Sequence, residues 1–194
     1  ARRFLDIVLR QAGRLDAIVD DLLTLSRIEN RDGHEAITLA PAPVRPVLES
    51  AVQTCAVQAA ERGIEVRVEG DGGLRAAINA PLLEQAVINL LQNAVTYSPP
   101  GARVVLRCEA GTSETGEGEV RLRVSDNGPG IGREHLGRLF ERFYRCDRAR
   151  SRDQGGTGLG LSIVKHIAQA HHGAVAVDST PGQGSTFTIS LPAA

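Results

Sequence analysis

Apolar residues recur at alternating steps of three and four through the first 25 positions, and no other feature of the sequence constrains the fold as much. They are Phe4, Val8, Leu15, Ile18, Leu22 and Leu25. This heptad spacing predicts one amphipathic helix over residues 1–30. Ile7, Val19 and Leu23 widen the apolar stripe beyond a two-stranded seam, as in a helix of a four-helix bundle. Because a lone helix cannot bury such a stripe, the pattern predicts packing against other helices.

Turn-forming residues and prolines separate this helix from the remainder of the chain. Residues 30–33, Asn-Arg-Asp-Gly, form the break, and three prolines within 41–46 oppose helical structure in the segment that follows. We therefore divide the chain into residues 1–32, one helix of an incomplete bundle, and residues 33–194, a separate domain.

Helical and strand patterns mix in that second domain without the regular alternation of a parallel α/β fold. The predicted helices span residues 47–62, 82–97, 134–140 and 161–171. The predicted strands span residues 64–68, 74–78, 103–109, 119–125, 174–178 and 185–191, and we expect 64–68 to pair with 74–78. These elements predict an α+β domain in which helices cover one face of a mixed sheet.

Composition and charge limit the classes of partner. Hydrophobic residues make up 42% of the 194 residues, enough for a packed core, and the net charge of −1 gives no field that would attract nucleic acid. Three scattered cysteines fit neither a disulfide framework nor a metal cluster, and they indicate a reducing, cytoplasmic setting. No apolar run reaches the roughly 20 residues that a membrane-spanning helix needs. We therefore expect a cytoplasmic domain with no nucleic-acid partner.

Two asparagines four positions apart mark the first candidate site. Asn89 and Asn93 project from one face of the helix predicted over residues 82–97. Amide carbonyl oxygens placed in this way can coordinate a hard cation such as Mg²⁺. An asparagine pair on a helix is more often plain surface, so this pair gains weight only from the segments that follow it.

Glycines follow an aspartate directly after the strand predicted over residues 119–125. In residues 126–130, Asp-Asn-Gly-Pro-Gly, Gly128 and Gly130 let the backbone come close to a flat ligand. The carboxylate of Asp126 is then free to accept a hydrogen bond from an exocyclic amine. Taken alone, the segment is equally compatible with an ordinary turn.

Two further glycine-rich segments lie near the end of the chain. Residues 155–161, Gly-Gly-Thr-Gly-Leu-Gly-Leu, open the helix predicted over 161–171, where exposed N–H groups form an anion site suited to a triphosphate. The segment lacks both the Walker A pattern and the βαβ unit that surrounds a Rossmann fingerprint. Residues 182–187, Gly-Gln-Gly-Ser-Thr-Phe, indicate a turn that enters the last strand.

In this order and spacing, the four segments resemble the N, G1, G2 and G3 boxes of the catalytic domain of sensor histidine kinases. Residues 140–145, Phe-Glu-Arg-Phe-Tyr-Arg, stand where that family has its F box, and the resemblance covers roughly residues 37–191. Residues 1–30 resemble the second helix of the family's dimerisation and phosphotransfer bundle. The resemblance implies the Bergerat (GHKL-type) ATP-binding fold, a two-layer α/β sandwich.

The resemblance also implies a role for each motif residue in binding ATP and Mg²⁺. Asp126 would bind the adenine amine, and Asn93 would hold Mg²⁺ against the phosphates. Arg142 and Arg145 would approach the phosphates from a lid over residues 140–157. The other implied residues are Asn89 beside the metal, Tyr97, Gly128, Gly130, Ile131 and Thr186 around the adenine, and Gly156, Thr157, Gly158, Leu159 and Gly160 at the phosphates.

Hydrolytic ATPases of the gyrase and heat-shock chaperone type share this fold and are the main alternative. Those relatives place a glutamate one turn before the Mg²⁺-binding asparagine, where it activates water. This chain has Asn89 there, and an amide cannot act as a general base. The implied reaction is therefore transfer of the γ-phosphate to a histidine, catalysed by positioning and charge neutralisation. A nucleotide-binding pseudokinase that serves as a dimerisation scaffold is the second alternative.

The sequence departs from the resembled family in its phosphoacceptor. No His-Glu/Asp-Leu-Arg-x-Pro motif is present, so we expect the acceptor histidine upstream of Ala1 in a longer, membrane-anchored sensor protein. That protein would form a homodimer through its bundle and relay phosphate to a response regulator receiver domain. Thr96 stands where many members have a lysine or arginine, which leaves more of the phosphate contact to Arg145.

Overall fold

The structure, a computed structural model, describes residues 2–29, 37–146 and 156–194. The helices are α1 (Arg2–Glu29), α2 (Arg45–Glu61), α3 (Ala80–Tyr97), α4 (Arg133–Leu136) and α5 (Gly160–Ala170). The strands are β1 (Ala40–Pro43), β2 (Glu65–Gly70), β3 (Arg75–Ile78), β4 (Arg103–Thr112), β5 (Gly118–Asp126), β6 (Ala174–Thr180) and β7 (Gly184–Pro192). The helix predicted over residues 1–30 is confirmed as α1.

Five strands form one sheet in the order β2-β4-β5-β7-β6, with β2 parallel to β4 and the other neighbours antiparallel. Alternate residues of β5, such as Leu122 and Val124, are buried on the face that α3 covers, and on the same side of the sheet α2 contacts β2 while α5 contacts β6 and β7. The opposite face carries cross-strand ion pairs, among them Arg107 with Glu69 at 2.7 Å. The predicted α+β class, with helices on one face of a mixed sheet, is therefore confirmed.

The predicted pairing of residues 64–68 with 74–78 is wrong. β3 instead pairs antiparallel with β1 in a separate two-stranded sheet, and β2 pairs with β4. Gly70 ends β2 with a φ of +98°, and a Cβ there would lie 2.0 Å from the Cys108 carbonyl oxygen. The chain turns at Gly70, so β3 does not fold back beside β2. The prolines of β1 are tolerated because a proline at a sheet edge need not donate a ladder hydrogen bond.

The helix that carries the asparagine pair is fixed at both ends. Oδ1 of Asn79 caps the start of α3 by accepting a hydrogen bond from the Leu82 N–H at 3.2 Å. The Asn79 N–H donates to Nε2 of His171 at 2.9 Å, so the ring proton sits on Nδ1, which donates to the Ile167 carbonyl at 2.8 Å. The N-terminus of α3 is thereby tied to the C-terminus of α5.

One face of α1 packs against the remainder of the chain, and another faces solvent. Leu25 is 2% exposed, and Ile18 and Ile28 pack beside it towards α5. Among the side chains of α1 that the structure describes, the large apolar ones that are exposed are Val8, Leu9, Leu15, Val19, Leu22 and Leu23. Among the described residues, no helix is long and apolar enough to cross a membrane.

Candidate functional site

Asp126, the last residue of β5, lies on the helix-covered side of the sheet, in line with buried Val124 and Leu122. Its Oδ1 accepts a hydrogen bond from the Gly128 N–H at 2.8 Å. Burial raises the pKa of Asp126, and backbone hydrogen bonds from Gly128 and Ser185 act in the opposite direction. The result is a partly desolvated carboxylate with acceptor capacity left for a ligand.

Glycine is required at two positions around this carboxylate. Gly130 has a φ of +68°, and a Cβ there would lie 2.1 Å from the Thr180 carbonyl oxygen. Gly184 has a φ of +104°, and a Cβ there would lie 2.0 Å from the carbonyl oxygen of Asp126 itself. Any side chain at either position would force the loops apart, so both glycines maintain the contact between the G1 and G3 segments.

A serine network joins the same two segments. The Ile131 N–H donates to Oγ of Ser179 at 2.8 Å, and that hydroxyl donates to the Gly184 carbonyl at 2.9 Å. With its single proton used in this way, Ser179 Oγ accepts from the hydroxyl of Ser185 at 3.0 Å. Sequence reasoning missed Ser179, because a serine directly after a predicted strand gives no signal of such a role.

Thr186, expected at the adenine, is not brought together with Asp126. It pairs across the strands with Ser125, and the two hydroxyl oxygens lie 2.9 Å apart on the outer face of the sheet. The residue that pairs with Asp126 is Ser185, which is 7% exposed. The two-residue period of β7, with Phe187 buried, was the signal that could have identified Ser185 from the sequence.

The two asparagines of α3 have different environments. Asn89 is 7% exposed; its Nδ2 donates to the Gly160 carbonyl and its Oδ1 accepts from Nε2 of Gln85, each at 3.3 Å. Asn93 is half-buried and its amide makes no hydrogen bond to the described residues. Asn93 therefore has the free carbonyl oxygen that a Mg²⁺ ligand needs, whereas Asn89 joins α3 to the start of α5.

The N, F and G2 segments converge at Gly156. A Cβ on Gly156 would lie 3.8 Å from Oη of Tyr97 and 3.9 Å from Nη2 of Arg145. Tyr97 is 47% exposed, so its ring lines an open side of the site. An aromatic ring and a guanidinium therefore lie beside Gly156, the first described residue of the G2 segment. The ring suits contact with a nucleotide base, and the guanidinium suits contact with a phosphate chain.

Two of the predicted phosphate-binding groups contact α1. The guanidinium of Arg142 pairs with the carboxylate of Glu29, which also lies 2.8 Å from Nε2 of His166. The hydroxyl of Thr157 donates to Oδ2 of Asp21 at 2.7 Å. Burial is the largest cause of a raised pKa at Asp21, and the hydrogen bond from Thr157 opposes it. Nothing in the sequence indicated these contacts, because they join segments more than a hundred positions apart.

The remaining G2 residues form the start of α5 and meet the F box. The Phe143 N–H donates to the Gly158 carbonyl at 2.9 Å, and both residues have positive φ, +60° at Phe143 and +78° at Gly158. Leu159 is fully buried and anchors the turn, while Gly160 begins α5. Half of the predicted lid, residues 147–155, lies outside the described residues, and Gly155 is among them.

These contacts place an anion-binding helix start, an amide with free acceptor capacity and a partly buried carboxylate around one cleft. The N–H groups at the start of α5 favour phosphate, and the Asn93 amide suits a hard cation. The Asp126 carboxylate suits an amine donor. The described residues thus fit a nucleoside triphosphate with a divalent cation.

Comparison with known proteins gives a family match over most of this domain. The profile of the family described as histidine kinase-, DNA gyrase B-, and HSP90-like ATPase matches residues 78–194. The chain is 42% identical to the sensor-like histidine kinase SenX3 of Mycobacterium tuberculosis over 193 residues, 99% of this chain and 45% of SenX3. It is 36% identical to the phosphate regulon sensor protein PhoR of Pseudomonas aeruginosa, over 96% of this chain and 40% of PhoR. The chain thus spans less than half of these curated relatives.

Solved structures give the same result. Full-length ShkA in complex with AMPPNP has a TM-score of 0.79 and 30% identity, covering 99% of this chain and 39% of ShkA. The mycobacterial sensor histidine kinase MprB has a TM-score of 0.66 and 31% identity, covering 80% of this chain and 97% of the MprB chain. Both similarities agree with the two-layer Bergerat architecture predicted from the sequence.

Proposed function

Because the chain belongs to the family of histidine kinase-, DNA gyrase B- and HSP90-like ATPases, we propose that it is the ATP-binding catalytic part of a two-component sensor histidine kinase. It binds ATP with Mg²⁺ and transfers the γ-phosphate to a histidine of the longer protein, for relay to the aspartate of a response regulator receiver domain. The sensor kinases among its relatives, which share about two-fifths of its residues, support this reading.

The observation that carries the proposal is the environment of Asn89. A hydrolytic ATPase needs a base one turn before its metal-binding asparagine. Here that position is an amide whose two polar atoms are bonded to Gln85 and Gly160. An amide cannot take a proton from water in any orientation, and these two hydrogen bonds hold it in a joining role between α3 and α5. The γ-phosphate is therefore directed to a nucleophile that needs little activation, such as an imidazole.

We assign the nucleotide contacts as follows. Asp126 accepts a hydrogen bond from the adenine amine, Tyr97 and Ile131 line the base, and Ser185 takes the place that the sequence suggested for Thr186. Asn93 supplies an oxygen to Mg²⁺, which neutralises phosphate charge when bound. Arg145 and the start of α5 face the phosphates. The similarity to ShkA, whose structure contains AMPPNP, supports these assignments.

We further propose that residues 1–32 belong to a dimerisation and phosphotransfer bundle and residues 33–194 to the catalytic domain. The exposed apolar stripe of α1 supports a homodimer built on this helix. By analogy with the sensor kinases that it resembles, the domain would lie on the cytoplasmic side of a membrane-anchored protein.

Transfer in trans tests the proposal. The chain is mixed with an upstream fragment of its own protein that contains the acceptor histidine, and γ-labelled ATP is added. We expect label on the upstream fragment, little phosphate release by the chain alone, and no transfer by Asn93→Ala. Asn89→Glu serves as the comparison for hydrolysis, since it installs the missing base. Rapid phosphate release by the unmodified chain would contradict the kinase assignment and favour a gyrase-like ATPase.

A further inference from the structure

Ser98 is buried at the nucleotide site with a hydroxyl that bonds to none of the described residues. It directly follows α3, where its N–H donates to the Ala94 carbonyl at 3.1 Å and its carbonyl accepts from Nη2 of Arg62 at 3.4 Å. The residue is 2% exposed, and Oγ has no hydrogen-bond partner within the described part of the chain. Its backbone is thus held in place, while its side-chain oxygen is not used by the fold.

An unused buried hydroxyl is unusual because its transfer out of water is not compensated by a new hydrogen bond. The other serines around the site are all bonded. Ser162 donates to the Leu159 carbonyl at 2.7 Å, and Ser179 and Ser185 bond to each other. Serine at position 98 therefore calls for a partner outside the protein.

Gly128 shows where that hydroxyl lies. A Cβ on Gly128 would be 3.2 Å from Oγ of Ser98 and 2.7 Å from Oδ1 of Asp126. The Ser98 hydroxyl, at the end of α3, and the Asp126 carboxylate, at the end of β5, therefore both lie beside the space that a side chain at position 128 would fill. Gly128 itself is buried, so this position belongs to the interior of the cleft.

We propose that Ser98 is a second base-recognition residue of this site, acting beside Asp126. The recognition edge of adenine presents an amine donor next to the ring acceptor N1. An ionised carboxylate only accepts, so Asp126 takes the amine, while the Ser98 hydroxyl donates to N1 directly or through one bridging water. Guanine presents a carbonyl oxygen in place of the amine and is rejected by the Asp126 carboxylate, whereas the Ser98 hydroxyl, which can also accept, adds affinity for the base edge. This inference rests on the proposed function and extends it to a second contact with that edge.

Paired nucleotides separate this role from a structural one. The whole chain and its Ser98→Ala variant are titrated by calorimetry with Mg-ATP and with the 1-deaza analogue, in which C–H replaces N1. We expect Ser98→Ala to lose about three- to tenfold in ATP affinity, the range for one hydrogen bond. Its affinity for the 1-deaza analogue should equal that of the unmodified chain. Without nucleotide, the variant should unfold at an equal or higher temperature, because an unpaired buried hydroxyl has been removed.

Ser50→Ala is the matched control, since the Ser50 hydroxyl donates to Glu84 at 2.7 Å, away from the cleft. It should bind both nucleotides as the unmodified chain does. Equal ATP affinity of Ser98→Ala and the unmodified chain, or an equal loss for both nucleotides, overturns the proposal. If Asp126→Asn weakens ATP binding while Ser98→Ala does not, only the Ser98 role fails. If the unmodified chain binds no ATP, the proposed function and the Ser98 role both fail.

Discussion

At Asp126, the needs of binding and of folding oppose each other. The carboxylate is partly buried, and two backbone hydrogen bonds only partly offset the loss of water. A protein that merely folded would have no reason to keep an ionisable group here. The proposed hydrogen bond from the adenine amine would give such a reason.

We therefore expect Asp126→Asn to change binding and stability in opposite directions. The amide places an N–H₂ group where an acceptor is needed, so ATP affinity should fall about tenfold or more, as for the loss of a charge-assisted hydrogen bond worth ~1.5–3 kcal/mol. The free energy of unfolding of the nucleotide-free protein should rise at neutral pH, because a desolvated charge has been removed. Calorimetry and urea unfolding measure the two effects.

The stability gain of Asp126→Asn should depend on pH. The folded pKa of Asp126 lies above its ordinary value of 3.8, so the native state holds this proton over a range in which the unfolded state has lost it. The contribution of Asp126 to stability is therefore greatest below pH 3.8 and is lost as pH rises through the folded pKa. The difference between variant and unmodified chain should grow with pH and then level off. A pH-independent difference would contradict this account.

The two asparagines of α3 should respond differently to truncation. Asn89→Ala removes both hydrogen bonds of a buried amide, which should cost ~1–3 kcal/mol of unfolding free energy. Asn93→Ala removes an amide that is not bonded to the described residues, so stability should change by less than about 0.5 kcal/mol. Mg²⁺-dependent ATP affinity should fall sharply for Asn93→Ala. Equal destabilisation by both variants would show that Asn93 also has a structural role.

At the scale of elements, the sequence predicted those features that depend on short-range patterns. The apolar period of α3, together with proline in its first turn, located this helix and its asparagines to within two residues. The β4 and β5 hairpin followed from alternation and a polar loop. By contrast, β1 could not be predicted, because prolines normally argue against a strand and its pairing with β3 depends on a turn of the chain at Gly70. Thr186 lies one position from Ser185, the residue that pairs with Asp126, and one position in a strand means the opposite face.

The contact of α1 with the site was also beyond sequence reasoning, since it depends on how two elements dock. Asp21, Leu25 and Glu29 are spaced four apart and so share one face of the helix. Leu25 is buried, and the two acids meet Thr157 and Arg142. In this arrangement, two acidic side chains of α1 bind groups that were expected to contact phosphate.

Glu29→Gln should therefore strengthen ATP binding. Removing the charge frees the guanidinium of Arg142, and because the pair is partly exposed, we expect a gain of at most about fivefold, equivalent to ~1 kcal/mol. Asp20→Asn is the control, because it makes the same change in charge on α1 but Asp20 forms no ion pair among the described residues. A gain of equal size in both variants would assign the effect to net charge rather than to Arg142.

At the scale of the whole molecule, α1 has two apolar surfaces with different roles. The surface around Leu25 is covered by α5, while the stripe that includes Leu15 and Leu22 remains 63% and 42% exposed at those residues. A contiguous exposed stripe on a helix marks a surface for association. The docked position of α1 leaves this stripe available to a second chain without disturbing the nucleotide site.

We expect the chain to self-associate weakly through this stripe, and Leu15→Glu to abolish the association. Burying one leucine at a helix interface contributes ~1.5–3 kcal/mol, and a buried carboxylate would cost more than that gain. Val57→Glu is the matched control, since Val57 is 70% exposed on α2 and lies outside the stripe. Light scattering over a concentration series should give a rising mass for the unmodified chain and for Val57→Glu, and a constant monomer mass for Leu15→Glu. A constant monomer mass for the unmodified chain, or a loss of association in both variants, would show that α1 does not form the interface by itself.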